Sequence, residues 1–135
     1  KGFIIVGQDT DGTVTPMDLG MNWIVSTKKA DFLGRRSFAR TDTTSSGRKQ
    51  LVGLLTEDPN FILQEGAHVV EPLRDKPPMN MLGHVTSSYS SPNVGRSIAM
   101  ALIRDGFNRK GETLTVSLMD GGSHKVSVTD PVFLD

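Results

Sequence analysis

Four consecutive residues, Thr86-Ser87-Ser88-Tyr89, set three aliphatic hydroxyls beside a phenol. Such a group can satisfy the hydrogen-bonding edge of a heterocycle and offer a flat ring for it to lie against. Hydroxyls bonding a neighbouring strand are the plainer reading of the same residues. His84 stands three to seven residues before Ser87, Ser88, Ser90 and Ser91, which on an extended segment makes no nucleophile–base pair. His68, His84 and His124 fall on separate expected strands and lack the close-spaced donors of a catalytic zinc site. They read as surface or hydrogen-bonded histidines. Asp9, Asp11, Gly12 and Asp18 imitate a calcium loop, yet Gly7 stands where its first ligand belongs and the bidentate Glu is missing. A tight turn accounts for them. No G-x-S-x-G, P-loop or G-x-G-x-x-G pattern occurs, and Gly121-Gly122 reads as a hairpin turn. Neither a catalytic residue nor a metal site emerges from these patterns.

The hydroxyl run must be positioned by the stretch Gly83–Arg104. Its first limb, His84–Tyr89, is β-branched and aromatic but poor in aliphatic bulk, whereas Ser97–Ile103 is apolar nearly throughout. One limb is expected to be a half-buried strand and the other a fully covered one. Between them Ser90–Gly95 carries Pro92, Asn93 and Gly95, the chemistry of a polar hairpin tip.

Around this hairpin the chain divides. Phe3–Val6 reads as a strand apolar on both faces, and Thr15-Pro16 with Asp18 as a helix start leading through Met17, Met21, Ile24 and Val25 to about Ser26. Trp23 is expected to anchor that helix in a core. A second short helix is expected at Asp31–Ala39, followed by a polar linker at 41–48. From Lys49 the pattern is all β: Gln50–Thr56, His68–Val70, the hairpin, and Thr113–Leu118 turning at Asp120-Gly121-Gly122 into His124–Val128. Pro72–Asn80 is expected to be a surface loop. Short strands joined by turns without helices predict a mainly β fold, a small antiparallel barrel over 49–135.

Bulk composition narrows the partners. Fifteen basic and fifteen acidic residues cancel, which argues against the field of a nucleic-acid-binding protein. No apolar run approaches the ~18 residues of a membrane span, and the absence of Cys fits a cytoplasmic location. Arg35, Arg36, Arg40, Arg48 and Lys49 are the one charge cluster, by default a solvated face. A strand apolar on both faces so near the first residue suggests a piece of a longer polypeptide.

Several segments in order carry a family likeness: Thr15-Pro16 with Gly20 and Trp23, KADFLGRR at 29–36, RKQLVGL at 48–54, GHVTSS-Y-SP at 83–92 and SIAMALI at 97–103. The chain resembles the C-terminal barrel of the folate-dependent aminomethyltransferases, and its first segment resembles most the branch carried by bacterial sarcosine oxidases. That resemblance implies an oxidoreductase whose flavin and NAD lie elsewhere in the parent enzyme. It also implies a partial tetrahydrofolate site that captures the one-carbon unit of sarcosine as 5,10-methylenetetrahydrofolate. Residues 1–40 would end the folate-binding domain, and Thr86, Ser87 and Tyr89 would be the cofactor-binding residues. The family's catalytic and pterin-binding carboxylates lie before this stretch, so the isolated chain is expected to be inactive. Implied partners are the preceding domain of the same polypeptide and other sarcosine oxidase subunits, with no nucleic acid and no membrane. The basic cluster acquires a second reading as a domain contact or a folate polyglutamate contact. The alternatives are a non-catalytic barrel module that docks a domain or subunit, or part of a related dimethylglycine dehydrogenase or aminomethyltransferase.

Overall fold

A computed structural model describes residues 1–71 and 78–134. Six strands, β1 (Lys49–Thr56), β2 (His68–Val70), β3 (Met81–Ser91), β4 (Arg96–Arg104), β5 (Thr113–Ser117) and β6 (Ser123–Thr129), close into a barrel in the order β1-β4-β3-β2-β5-β6. Every pairing is antiparallel, and closure leaves no strand edge open to another chain. The mainly β barrel expected from period-two alternation is therefore the fold.

Alternation explains the core. Val52 and Leu54 of β1, Val85 of β3, Ala99, Ala101 and Ile103 of β4, Val116 of β5 and Val126 and Val128 of β6 fill the interior. The opposite face of β1 and β4 is also covered, because Ile4, Val14 and Leu19 pack on Leu51, Met100 and Leu102. A strand buried on both faces can be apolar at every position, which is why the second limb of the hairpin reads as SIAMALI. The first limb is more covered than its composition suggests, since Val85, Thr86, Ser87 and Ser88 are all buried.

Residues 1–48 depart from expectation. Phe3–Val6 forms no strand, and Phe3 and Val6 face solvent. The three-turn helix expected from Thr15 reduces to turns and one 3-10 turn at Asn22–Ile24. Gly20, at φ +70, takes the left-handed conformation that ends a helix. The second helix is a 3-10 turn at Arg35–Ala39 that begins after Gly34, also left-handed at φ +90. Within the expected linker, Thr41–Thr44 makes one helical turn, α1. Thr43 and Thr44 close it by donating their hydroxyls to Arg40 O. Most of the loop expected at Pro72–Asn80 lies outside the described residues.

Candidate functional site

The outer face of the β3–β4 hairpin holds the site. Ladder register steps from Val85 opposite Ala101 to Ser87 opposite Met100, so Thr86 is the extra residue of a β-bulge. A bulge re-aims the side chains around it. Beyond it, Ser87 and Tyr89 are two residues apart and share a face. Both line a recess of about 230 Å³ with Ile98, Ala99 and Met100 of β4 and Lys1, Gly2 and Phe3 of the N-terminal segment.

Two of the three predicted residues thus meet. Ser87 is 1% exposed, and its Oγ, like those of Ser88 and Ser97, has no hydrogen-bond partner; of these three serines it alone lines the recess. A buried hydroxyl in that state costs free energy unless something bonds it. Tyr89 is 48% exposed and closes the rim. Thr86 is placed differently. Its buried hydroxyl lies 2.5 Å from Asp9 Oδ1 and 3.2 Å from Met100 O, so it is already engaged.

A second recess of about 530 Å³ adjoins the first, because Lys1, Gly2 and Phe3 line both. Leu19, Met21, Trp23, Leu51, Phe107, Pro131 and Val132 supply its apolar lining. Trp23 anchors no core: it is 78% exposed. The available signal was Gly20, which breaks the helical periodicity before Trp23 can be carried onto a buried face.

Several other charged and titratable residues have defined partners within the fold. Arg48 grips Asp18 bidentately, Nε to Oδ1 at 2.8 Å and Nη2 to Oδ2 at 2.5 Å, and also donates to Thr13 O and Asp42 O. Burial pushes the Asp18 carboxyl upward, but the Arg48 bonds and those from Thr15 outweigh it and hold the group below the usual carboxylate range. Asp18 in turn raises the Arg48 guanidinium. Asp11 is lowered chiefly by the Thr13 hydroxyl and amide. Asp9, Asp11 and Asp18 therefore serve different partners, and the calcium-loop likeness is one of sequence alone. His68 and His84 face each other across β2 and β3. His84 is held below its ordinary value first by burial and then by the Lys49 charge. His124 stacks on Phe61 with ring centroids 3.6 Å apart. Among the described residues no group of three or more His, Cys, Asp or Glu could hold a metal, and no helix is long and apolar enough to cross a membrane.

Residues 49–135 match the family described as Glycine cleavage T-protein C-terminal barrel domain. The whole chain is 49% identical to the sarcosine oxidase subunit alpha of Corynebacterium sp. (strain U-96), spanning 14% of that protein. It is 32% identical over 88% of its length to an aminomethyltransferase of Cupriavidus taiwanensis, spanning 29% of it. In fold it resembles the crystal structure of glycine cleavage system aminomethyltransferase T from Bartonella henselae, with a TM-score of 0.77 and 24% identity over 96% of this chain and 34% of the other.

Proposed function

Since the chain belongs to the glycine cleavage T-protein C-terminal barrel domain family, we propose that it forms one wall of a tetrahydrofolate site in a sarcosine oxidase alpha subunit. There the one-carbon unit released from sarcosine is captured as 5,10-methylenetetrahydrofolate. One observation supports the reading: Ser87, whose buried hydroxyl has no partner, lines with Tyr89 one recess between the hairpin and the N-terminal segment. Ser87 would bond a polar atom of the bound ring system, Tyr89 would lie against the ring, and Thr86 would hold the strand in place. By this reading the chain supplies binding surface, while amine oxidation by flavin, with NAD, belongs to other parts of the parent.

In the same proposal, residues 1–40 end the folate-binding domain, 41–48 link, and 49–135 form the barrel. The parent works in the cytoplasm, beside other subunits and its own preceding domain. A second reading, a barrel that only docks a domain or subunit, draws on the exposed Phe3, Val6, Trp23 and Leu33 of the N-terminal segment.

The test is Tyr89→Ala in the full-length protein. An aromatic contact adds about 0.5–1.5 kcal/mol beyond area burial, and tenfold in affinity is about 1.4 kcal/mol. With lost burial included, tetrahydrofolate binding should weaken about three- to thirtyfold. Unchanged affinity at normal stability makes Tyr89 a spectator. Loss of subunit assembly favours the docking module.

A further inference from the structure

Asp9 is fully buried, at 0% exposure, and none of the ion pairs among the described residues includes it. A carboxylate buried with neutral donors alone is a costly tether, so what it ties together matters. Its two oxygens serve two different segments. Oδ2 accepts the amide of Ile5 at 2.8 Å, while Oδ1 accepts the hydroxyl of Thr86 at 2.5 Å. The first bond, with Asp9 N donating to Ile5 O at 2.8 Å, knots the turn that follows Lys1–Phe3, one wall of the 230 Å³ recess. The second grips the extra residue of the β3 bulge, beyond which Ser87 and Tyr89 form the other wall. Gln8, from the same turn, adds a bond from Nε2 to Thr86 O at 3.1 Å.

We propose that Asp9 is a positioning residue for the folate recess, one carboxylate that sets the spacing of both walls through Ile5 and Thr86. This rests on the reading of the recess given above. Asp9 touches no ligand in this arrangement. It acts through the bulge, because a bulge in the wrong conformation turns Ser87 and Tyr89 away from the recess. It also makes the N-terminal segment part of the site's geometry rather than a tail upon the barrel.

The experiment measures tetrahydrofolate dissociation constants and melting temperatures in the full-length protein for Tyr89→Ala and Ser87→Val, and for Asp9→Asn, Thr86→Val and Thr86→Ser, these three alone and combined with Tyr89→Ala. Asp9→Asn and Thr86→Val should each weaken binding about fivefold or more, because either change loosens the bulge that aims Ser87 and Tyr89. Thr86→Ser, which keeps the hydroxyl, should restore affinity. In the Tyr89→Ala background the Asp9→Asn effect should shrink, since residues acting through one another are not additive. A merely structural bond would lower the melting temperature and leave the dissociation constant and the coupling unmoved. If Tyr89→Ala weakens binding while folded Asp9→Asn does not, the positioning role falls and the folate reading stands. If Tyr89→Ala and Ser87→Val both leave affinity unchanged, both ideas fall. Should Asp9→Asn not fold, the contrast between Thr86→Val and Thr86→Ser decides the matter alone.

Discussion

The barrel and the segment before it are built on different principles. Residues 49–71 and 78–134 are organised by side-chain alternation around one interior, and each strand finds a hydrogen-bonding neighbour on both sides. Residues 1–48 have turns, two 3-10 turns and a single helical turn, and lean on the barrel through Ile4, Val14 and Leu19. The first region has a closed hydrogen-bonded sheet, and the second is without one. The recess lies at their junction, lined by residues of both regions.

The sharpest way to break the barrel side of this contrast is Gly83→Val. A side chain at Gly83 would run into the carbonyl of Leu102 on the facing strand, a backbone group with no room to retreat. The expected loss exceeds about 4 kcal/mol, the range of exceptional single substitutions, and should appear as failure of cooperative unfolding by circular dichroism. A folded variant with a normal transition would mean that β3 and β4 are not so closely apposed.

The junction comes next. Arg48 leaves β1's edge to hold Asp18, whose own carbonyl accepts the Leu51 amide at 2.8 Å. Removing one partner of a buried ion pair typically costs about 3–5 kcal/mol. The side chains here are 19% and 4% exposed, so Arg48→Met should fall at or below the lower end of that range. The pH dependence has a definite sign. The Asp18 carboxyl is held below its ordinary value in the fold, so its stabilisation is fully present above the usual carboxylate range. It is lost as pH falls through the lower, folded value. Melting temperature should therefore drop on acidification from about pH 5 downward, and Asp18→Asn should flatten that part of the curve. An unaltered acid profile in Asp18→Asn would place the acid sensitivity elsewhere.

Legibility in the sequence follows the same division. Thr113–Ser117 and Ser123–Thr129 alternate because one face is buried, and the turn at Asp120–Gly122 completes a signal that is wholly local. The apolar run of β4 was readable as a doubly covered strand, although what covers it was not, since Ile4, Val14 and Leu19 reach it from far away in sequence. Capping chemistry at Thr15 was also real, with Asp18 Oδ2 accepting the Thr15 amide at 2.8 Å. It did not commit the next ten residues to a helix, because Gly20 intervenes at positive φ and, beyond it, Trp23 and Ile24 are exposed. Ser87 and Tyr89 stood out in the sequence by residue type, together with Thr86, and the two line one recess. That the hydroxyl of Thr86 would be taken by Asp9 could not, for 77 residues of chain separate the pair and only the folded arrangement of the bulge brings them together.

The smallest expected effect tests the N-terminal side. Trp23 is a large apolar residue whose sequence suggests a core anchor, and a buried Trp cut back to a small residue typically costs about 3–5 kcal/mol. Here it is 78% exposed and lines an open recess with Met21 and Phe107, so little apolar area returns to water on its removal. Trp23→Ser should therefore shift stability by no more than about 0.5 kcal/mol, the usual range for surface positions. Thermal or urea unfolding of the 135-residue chain measures it directly. A loss of several kcal/mol would show that Trp23 is buried in solution and that residues 1–48 possess a core of their own. A neutral result, combined with weaker tetrahydrofolate binding in the full-length protein, would extend the folate surface from the Ser87–Tyr89 recess into its larger neighbour across Lys1–Phe3.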